Sequence, residues 1–340
     1  MNSIGVDLHK KIITVCVMSD KLNVLARKTL YCERPDEIAQ FFRQFRPFHV
    51  VVEATASYHW FVELVEPLAE KLVLANPSKL RVIAESTKKT DRLDAQVLAE
   101  FLARDMIPRA YMPTPRQRQH RALVRHRQYI QGRMTAAKCK LRRILSDYNA
   151  DRRDLFAASN RREYTKQLAL SDADRFVVEQ LWADHDHYAN QLHELGSKLR
   201  AFAKKAAHQE KEARAVLKTI PGVGPVTIDV VLSELGDITR FRNEKTVCAY
   251  AGLAPVVRQS GGKKSKDLGI SKQGSGLLRW VLVEACWRMV QKSQKWRRVY
   301  ERISKRSGSK RAIVAVARKL LCVIYAMLKT MTPYRILSAA

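Results

Sequence analysis

The sequence predicts an α/β domain, a long helical arm and a mainly helical C-terminal domain. Three observations carry this: β-branched runs crowd the first 77 residues, two later stretches space apolar residues at helical intervals, and glycines punctuate the final third. Residues 3–7 (SIGVD) and 12–18 (IITVCVM) are strands joined by the polar turn LHKK, and a third strand follows at roughly 22–30. Residues 35–45 open on Pro35-Asp36-Glu37 and form a helix that stops before Arg46-Pro47. HVVVEA (49–54) is a short continuous apolar run, the mark of a buried central strand. SYHWFVELVEPLAEK is a helix bent at Pro67, and LVLANP (72–77) is another strand. Three early strands followed by strand–helix alternation make a mixed sheet compatible with a ribonuclease-H-like layout, assigned to residues 1–108.

MIPRAYMPTP (106–115) holds three prolines and reads as a linker. Residues 115–148 form one long basic helix with Leu123, Tyr129, Met134, Leu141 and Ile144 as its apolar positions. Residues 173–206 form a second, with Val177, Leu181, Tyr188, Leu192, Leu195 and Leu199. Together, as a domain at 109–207, they suit an antiparallel helical arm or a dimerising coiled coil. The last domain, 208–330, is helical with glycine-rich loops, and the chain holds no internal repeat or low-complexity tract.

At 340 residues the chain has room for more than one core, and 46% hydrophobic content argues against wholesale disorder. Its charge is unusual: 62 Lys+Arg against 33 Asp+Glu leave +29. Self-repulsion on that scale is relieved by a polyanion, so nucleic acid is the expected partner and a merely solvated basic surface a poor explanation. Cys16, Cys32, Cys139, Cys248, Cys286 and Cys322 are scattered without a C-x-x-C pair, which suits reduced thiols and argues against disulfides or a zinc site. MNSIGVDLHK lacks the apolar stretch of a signal peptide, and AIVAVARKLLCVIYAML is interrupted by Arg318 and Lys319. A soluble cytoplasmic protein with no membrane partner is expected.

Four acids form the first constellation: Asp7, Glu53, Asp91 and Asp94. Asp7 ends a strand that should be central, and Glu53 ends the buried strand; open α/β sheets place functional groups at such carboxyl ends. Asp91 and Asp94, three apart at the start of a helix in KKTDRLDAQVLAEF, face the same way. Carboxylates at the ends of apolar strands are costly without a cation. Magnesium takes such hard oxygen ligands, manganese being the alternative, and two ions about 3.5–4 Å apart serve phosphoryl transfer. Taken singly, each acid has a plain structural reading: Asp91 as a helix cap, Asp94 as a first-turn dipole partner, Glu53 as an ion-pair residue.

LKTIPGVGPVTIDVVLSELGD (217–237) reads as a helix–hairpin–helix, where Gly222 and Gly224 let backbone N–H groups approach phosphate; the competing reading is a turn used only for packing. In residues 251–286, Ser260 precedes Gly261-Gly262 among Arg258, Lys263, Lys264, Lys266 and Lys272. A serine in such a cationic loop suits attack on a phosphodiester, although the residues alone do not separate Ser260 from Ser265, Ser271 or Ser275, nor from a loop that only grips phosphate. Asp184-His185-Asp186-His187 reads as a solvated polar face, and Trp280, Trp287 and Trp296 read as core. Tyr58, close to Glu53 in sequence, stays open as a nucleophile.

GVDLHK, VVEATASYHW, KKTDRLDAQVLAEF, IPGVGPVTIDVVL, YAGLAPVVRQSGG and the later GxxxLRWVLVEA occur in this order, and across nearly the whole chain they resemble the insertion-sequence-110 family of transposases, relatives of the Piv DNA invertase. The resemblance implies a RuvC-like domain whose D-E-D-D set is Asp7, Glu53, Asp91 and Asp94, a coiled-coil arm, and a transposase domain whose nucleophilic serine matches Ser260. It also implies a phosphoserine link to donor and target DNA, and dimers pairing into tetramers in which the RuvC-like site of one subunit meets the serine of another. Sequence choice would come from a structured, element-encoded bridge-type RNA, in a bacterial nucleoid-associated setting. Two rival functions stand beside this: a metal-only RuvC-like nuclease or junction resolvase in which water attacks, and a non-catalytic architectural nucleic-acid-binding protein.

Overall fold

The computed structural model describes residues 1–55, 57–83, 91–157, 159–256, 259–260, 263–264 and 269–335, with the backbone alone at 81–83, 91–93, 259–260 and 263–264. The chain divides into two compact units, Met1–Met112 and Pro113–Ala340.

The first unit is built on a five-stranded sheet in the order β3-β2-β1-β4-β5. Its strands are β1 (Asn2–Leu8), β2 (Ile12–Met18), β3 (Val24–Tyr31), β4 (Phe48–Glu53) and β5 (Lys71–Ala75). β1, β2 and β3 pair antiparallel, whereas β4 runs parallel to β1 and β5 parallel to β4, as a ribonuclease-H-like layout requires. Between and after them come α1 (Pro35–Arg43), α2 (Tyr58–Val65), α3 (Pro77–Ile83) and α4 (Asp91–Ala103). Alternation assigns the two faces. Ile4, Val6, Val50, Val52 and Leu74 pack against Ile38, Phe42, Phe61 and Val65 of α1 and α2. Burial of each such side chain contributes about 1.5–3 kcal/mol. On the opposite face, Cys16, Val51 and Val73 lie under Ala95, Leu98, Ala99 and Leu102 of α4. Gly5 is what lets that helix settle: a Cβ there would fall 2.0 Å from the Ala95 carbonyl oxygen.

The expected linker at 106–115 is partly bound to this unit. Asn76 donates its backbone N–H to Pro108 (2.8 Å), Ala110 donates to Leu74 (2.7 Å), and Ala110 and Met112 pack on the core. Proline suits an extended chain along a sheet edge, where few of its N–H groups are needed. The unit therefore runs to Met112, four residues beyond the boundary read from composition.

The second unit contains α5 (Pro115–Asp147), α6 (Arg161–Lys166), α7 (Asp172–Lys204), α8 (His208–Lys218), α9 (Pro225–Leu235), α10 (Glu244–Tyr250), β6 (Gln259–Ser260), β7 (Lys263–Lys264), α11 (Gly276–Lys292), α12 (Gln294–Ser307) and α13 (Ser309–Thr330). α5 and α7 have 33 residues each and are capped by Thr114 and Ser171, whose hydroxyls accept from Gln117 and Asp174 N–H. They pair antiparallel: Leu141 and Leu145 meet Val178, Leu181 and Trp182 at one end, while Val124 and Leu199 share the main core at the other. The inward line of α5 is Val124, Ile130, Ala137, Leu141 and Leu145, so Tyr129, expected inside, is 57% exposed.

α5 is rooted through α9. Gln117 and Arg121 donate to the Ser233 carbonyl, and Arg121 also to that of Glu234, satisfying the last turn of α9. Arg214 reaches both Asp229 (2.7 Å) and Glu210 (3.0 Å), and His120 Nε2 lies 3.0 Å from Asp229. The main core is formed by α9, α10, α11 and α13, through Val231, Val247, Leu282, Ala285, Leu320 and Ile324. Trp296 is buried there, but Trp280 and Trp287 are 43% and 38% exposed. The apolar run around them suggested burial, yet both fall on the side of α11 away from Leu278, Leu282, Ala285 and Met289. All six cysteines are free thiols, and burial pushes Cys286 up to about 12. Among the described residues no helix is long and apolar enough to cross a membrane.

Candidate functional site

The β1–β4 ladder runs through Val6 opposite Val52, so Asp7 and Glu53 are the next residues on two adjacent central strands. Adjacent strands lie about 4.8 Å apart. Asp7 is two residues past Gly5 and Glu53 two past Val51, which places both carboxylates on the face covered by α4. Asp7 keeps 19% side-chain exposure, and His9 Nε2 stands 3.1 Å from its Oδ2. His9 lies in the GVDLHK motif but was assigned no role, although its place two residues after Asp7 was the signal available.

Asp94 is half-buried on α4 and directly precedes Ala95, the residue lying over Gly5. Asp91 is the first residue of that helix, and its side chain lies outside the described residues. Among the described residues no three His, Cys, Asp or Glu side chains converge tightly enough to hold an ion. The donor chemistry still fits magnesium, which binds through one or two carboxylates and completes its shell with water and phosphate oxygens. Asp7 and Glu53 offer two carboxylates on neighbouring strands.

Ser260 lies outside any helix. β6 pairs antiparallel with β7, Ser260 opposite Lys263 and Gln259 opposite Lys264. At the base of this segment, Val256 donates to Gly269, Ser271 to Ala254 and Lys272 to Gly252. Two glycines with positive φ fasten the base: a Cβ on Gly252 (φ +70) would meet the Gln273 carbonyl at 2.0 Å, and one on Gly274 (φ +91) the Tyr250 carbonyl at 2.0 Å. Arg279 donates to the carbonyls of Ala251, Gln273 and Gly274 across the same point. A mainly helical reading of this region missed the ribbon, whose strands of two residues show no alternation to detect.

The serines now differ. Ser275 caps α11, its hydroxyl accepting from Leu278 N–H (3.2 Å), and the Ser271 backbone is held in the ribbon base. Ser265, Arg258 and Lys266 lie outside the described residues, and of Ser260, Lys263 and Lys264 only the backbone is described. Lys272 is exposed, in the left-handed region at φ 55.

In 217–237, read as a helix–hairpin–helix, α8 ends at Lys218 and α9 begins at Pro225, with a turn between them. Gly222 has φ +85 and faces α11, where a Cβ would meet Ala285, Arg288 and Met289 at 3.1 Å. That glycine is therefore required for packing, whereas nothing lies within 4 Å of a Cβ on Gly224, the residue capping α9.

Tyr58 is buried and packs in the core beneath α1 and α2. Two minor readings change. His185 is buried against Phe156 and Trp182, and Asp186 binds Arg161 and Arg162, so this stretch is not simply a solvated face. Trp280 and Trp287 stand at the surface, as described above.

Comparison with known proteins finds two family matches. A transposase family model of the IS110 DEDD type matches residues 4–150, and one described as "Transposase IS116/IS110/IS902 family" matches residues 214–301. The chain is 26% identical to the "Transposase for insertion sequence element IS1111A" of Coxiella burnetii, covering 98% of this chain and 91% of that protein. A "Probable family 20 transposase" of Pseudomonas aeruginosa is 25% identical, over 98% of this chain and 99% of its own length. The "Pilin gene-inverting protein" of Moraxella bovis is 26% identical, over 84% and 81% respectively.

Proposed function

The chain belongs to the IS110/IS116 family of transposases, enzymes of DNA recombination, and on that premise we propose that its acids and Ser260 divide the chemistry of cutting and rejoining DNA strands. Asp7, Glu53, Asp91 and Asp94 hold magnesium or manganese, which when bound supplies Lewis-acid stabilisation of the reacting phosphate. The observation that carries this is the side-by-side placement of Asp7 and Glu53 at the carboxyl ends of adjacent parallel strands. Two carboxylates side by side there repel one another and an anionic substrate, a cost that a divalent cation offsets.

Ser260 is the nucleophile. Its Oγ gives up its proton as it attacks phosphorus, the bond from phosphorus to the departing sugar oxygen breaks, and that oxygen takes up a proton to leave as a hydroxyl. The broken strand stays attached as a phosphoserine until the hydroxyl of the partner strand displaces it. The pairing that sets Lys263 opposite Ser260, the cations Arg258, Lys264, Lys266 and Lys272 in the surrounding sequence, and the capping role of Ser275 support this assignment. Gly224 offers an open backbone for phosphate at the start of α9, and Gly222 holds the turn that presents it. Guidance by an element-encoded RNA and assembly of dimers into tetramers complete the reading, supported by the sequence resemblance and by a charge of +29 suited to several nucleic-acid strands.

The test is a denaturing gel of protein incubated with cognate DNA and RNA. Wild type should yield a covalent protein–DNA species and Ser260→Ala none. An undiminished adduct in Ser260→Ala removes the serine from the mechanism, and the lack of any adduct in wild type favours a metal-only nuclease.

A further inference from the structure

We propose that the outer face of α12 docks the sugar–phosphate backbone of duplex DNA through Lys295, Arg298, Arg302, Lys305 and Arg306. Of the proposed function this takes only that DNA is the substrate. At 100° per residue these five positions fall on one side of the helix. All five are exposed, while Trp296 is buried, Val299 packs on the core at the margin of the stripe, and Tyr300 meets Trp287 on another side of α12.

What sets the stripe apart is that its cations stand in line on one exposed face with no acid among them. Other cations of the second unit are tied to acids: Arg116 and Arg214 to Glu210, Arg125 to Glu234. Among the described residues none of the five has an ion pair or a side-chain hydrogen bond, and Glu301, the one acid of α12, pairs with none of them. Arg298–Arg302 and Arg302–Arg306 are like charges at i,i+4, a destabilising arrangement in an isolated helix. A polyanion lying along the face relieves that repulsion.

The geometry suits a duplex. Lys295 to Arg306 spans about 16 Å of helix, a length of duplex axis that carries roughly ten phosphate charges. No aromatic side chain stands on the stripe, so it has no platform for unpaired bases. No exposed apolar residue stands there either, which leaves a protein partner little to bury. Arg302, Lys305 and Arg306 also lie beyond residue 301, where the match to the transposase family model ends.

The experiment measures binding of the full chain to duplex DNA by fluorescence anisotropy across a salt series, with EDTA present so that no strand is cut. The variant combines Arg298→Gln, Arg302→Gln and Lys305→Gln. A matched control removes three scattered exposed cations, through Lys21→Gln, Arg43→Gln and Lys71→Gln. The stripe variant should keep its melting temperature and lose tenfold or more in affinity at physiological salt. The slope of log affinity against log salt should shrink by about 2 to 3, roughly 0.9 for each phosphate no longer neutralised, with a change below about 1 in the control. An unchanged slope in the stripe variant overturns the proposal, as does an equal loss in the control. A loss confined to single-stranded DNA or to RNA overturns it too. Since the assay reads binding without metal, failure of Ser260 or of the acids in cleavage assays leaves this result standing.

Discussion

Glu234 and Arg125 form an ion pair whose two halves stand in different surroundings: the carboxylate is 2% exposed and the guanidinium 59%. Arg125 donates through both Nε (2.9 Å) and Nη2 (3.1 Å), and this hydrogen bonding lifts the arginine above its usual value. Removing the exposed partner strands a buried charge, so Arg125→Ala should destabilise the chain by about 3 kcal/mol in a denaturant melt. Glu234→Gln leaves an amide still able to accept from an arginine that water also solvates, and should cost about 1 kcal/mol. Equal losses would show the asymmetry to be wrong. Glu210 adds a pH dependence. Burial alone would raise it, but hydrogen bonds from Arg116 and Arg214 hold it below its ordinary value of 4.5. The ionised form therefore stabilises the fold above that pH, and the contribution disappears as the pH falls through the depressed value. Glu210→Gln should melt below wild type at pH 7, with the gap closing in acid; a gap independent of pH would contradict the assignment.

Among the elements, α4 depends most on a single residue. Gly5→Ala would drive a methyl group into the Ala95 carbonyl, so α4 must lift from β1 and take Asp94 with it. Overpacking of this kind costs about 1–3 kcal/mol. The variant should melt at lower temperature and lose strand cleavage together, while DNA affinity holds; full cleavage activity would show that the seat of α4 is irrelevant to the acids. Much of this sheet was legible in the sequence because β1, β2 and β4 are β-branched runs bounded by polar turns, and the end positions of Asp7 and Glu53 followed from them. The seat of α4 on Gly5 was not, because a glycine announces close approach without naming what approaches. The ribbon bearing Ser260 escaped for a related reason. Its strands are two residues long, and the glycines and Arg279 that clamp its base act across the fold. Trp280 and Trp287 misled because a continuous apolar run does not say which side of a helix meets the core.

At the scale of the whole molecule, +29 and the carboxylates have opposite tasks. The cations bring a polyanion to the chain, and Asp7 and Glu53 stand where that polyanion's own charge would repel them unless a divalent cation lies between. Binding and cutting should therefore separate cleanly by mutation. The most direct measurement is strand cleavage of cognate DNA by Asp7→Asn and Glu53→Gln protein, alongside duplex affinity in the same buffer with magnesium. The expected result is a loss of cleavage of about a hundredfold or more, as removal of several kcal/mol of charge stabilisation implies, with affinity for DNA no weaker than wild type. Cleavage at the wild-type rate in either variant would contradict the account.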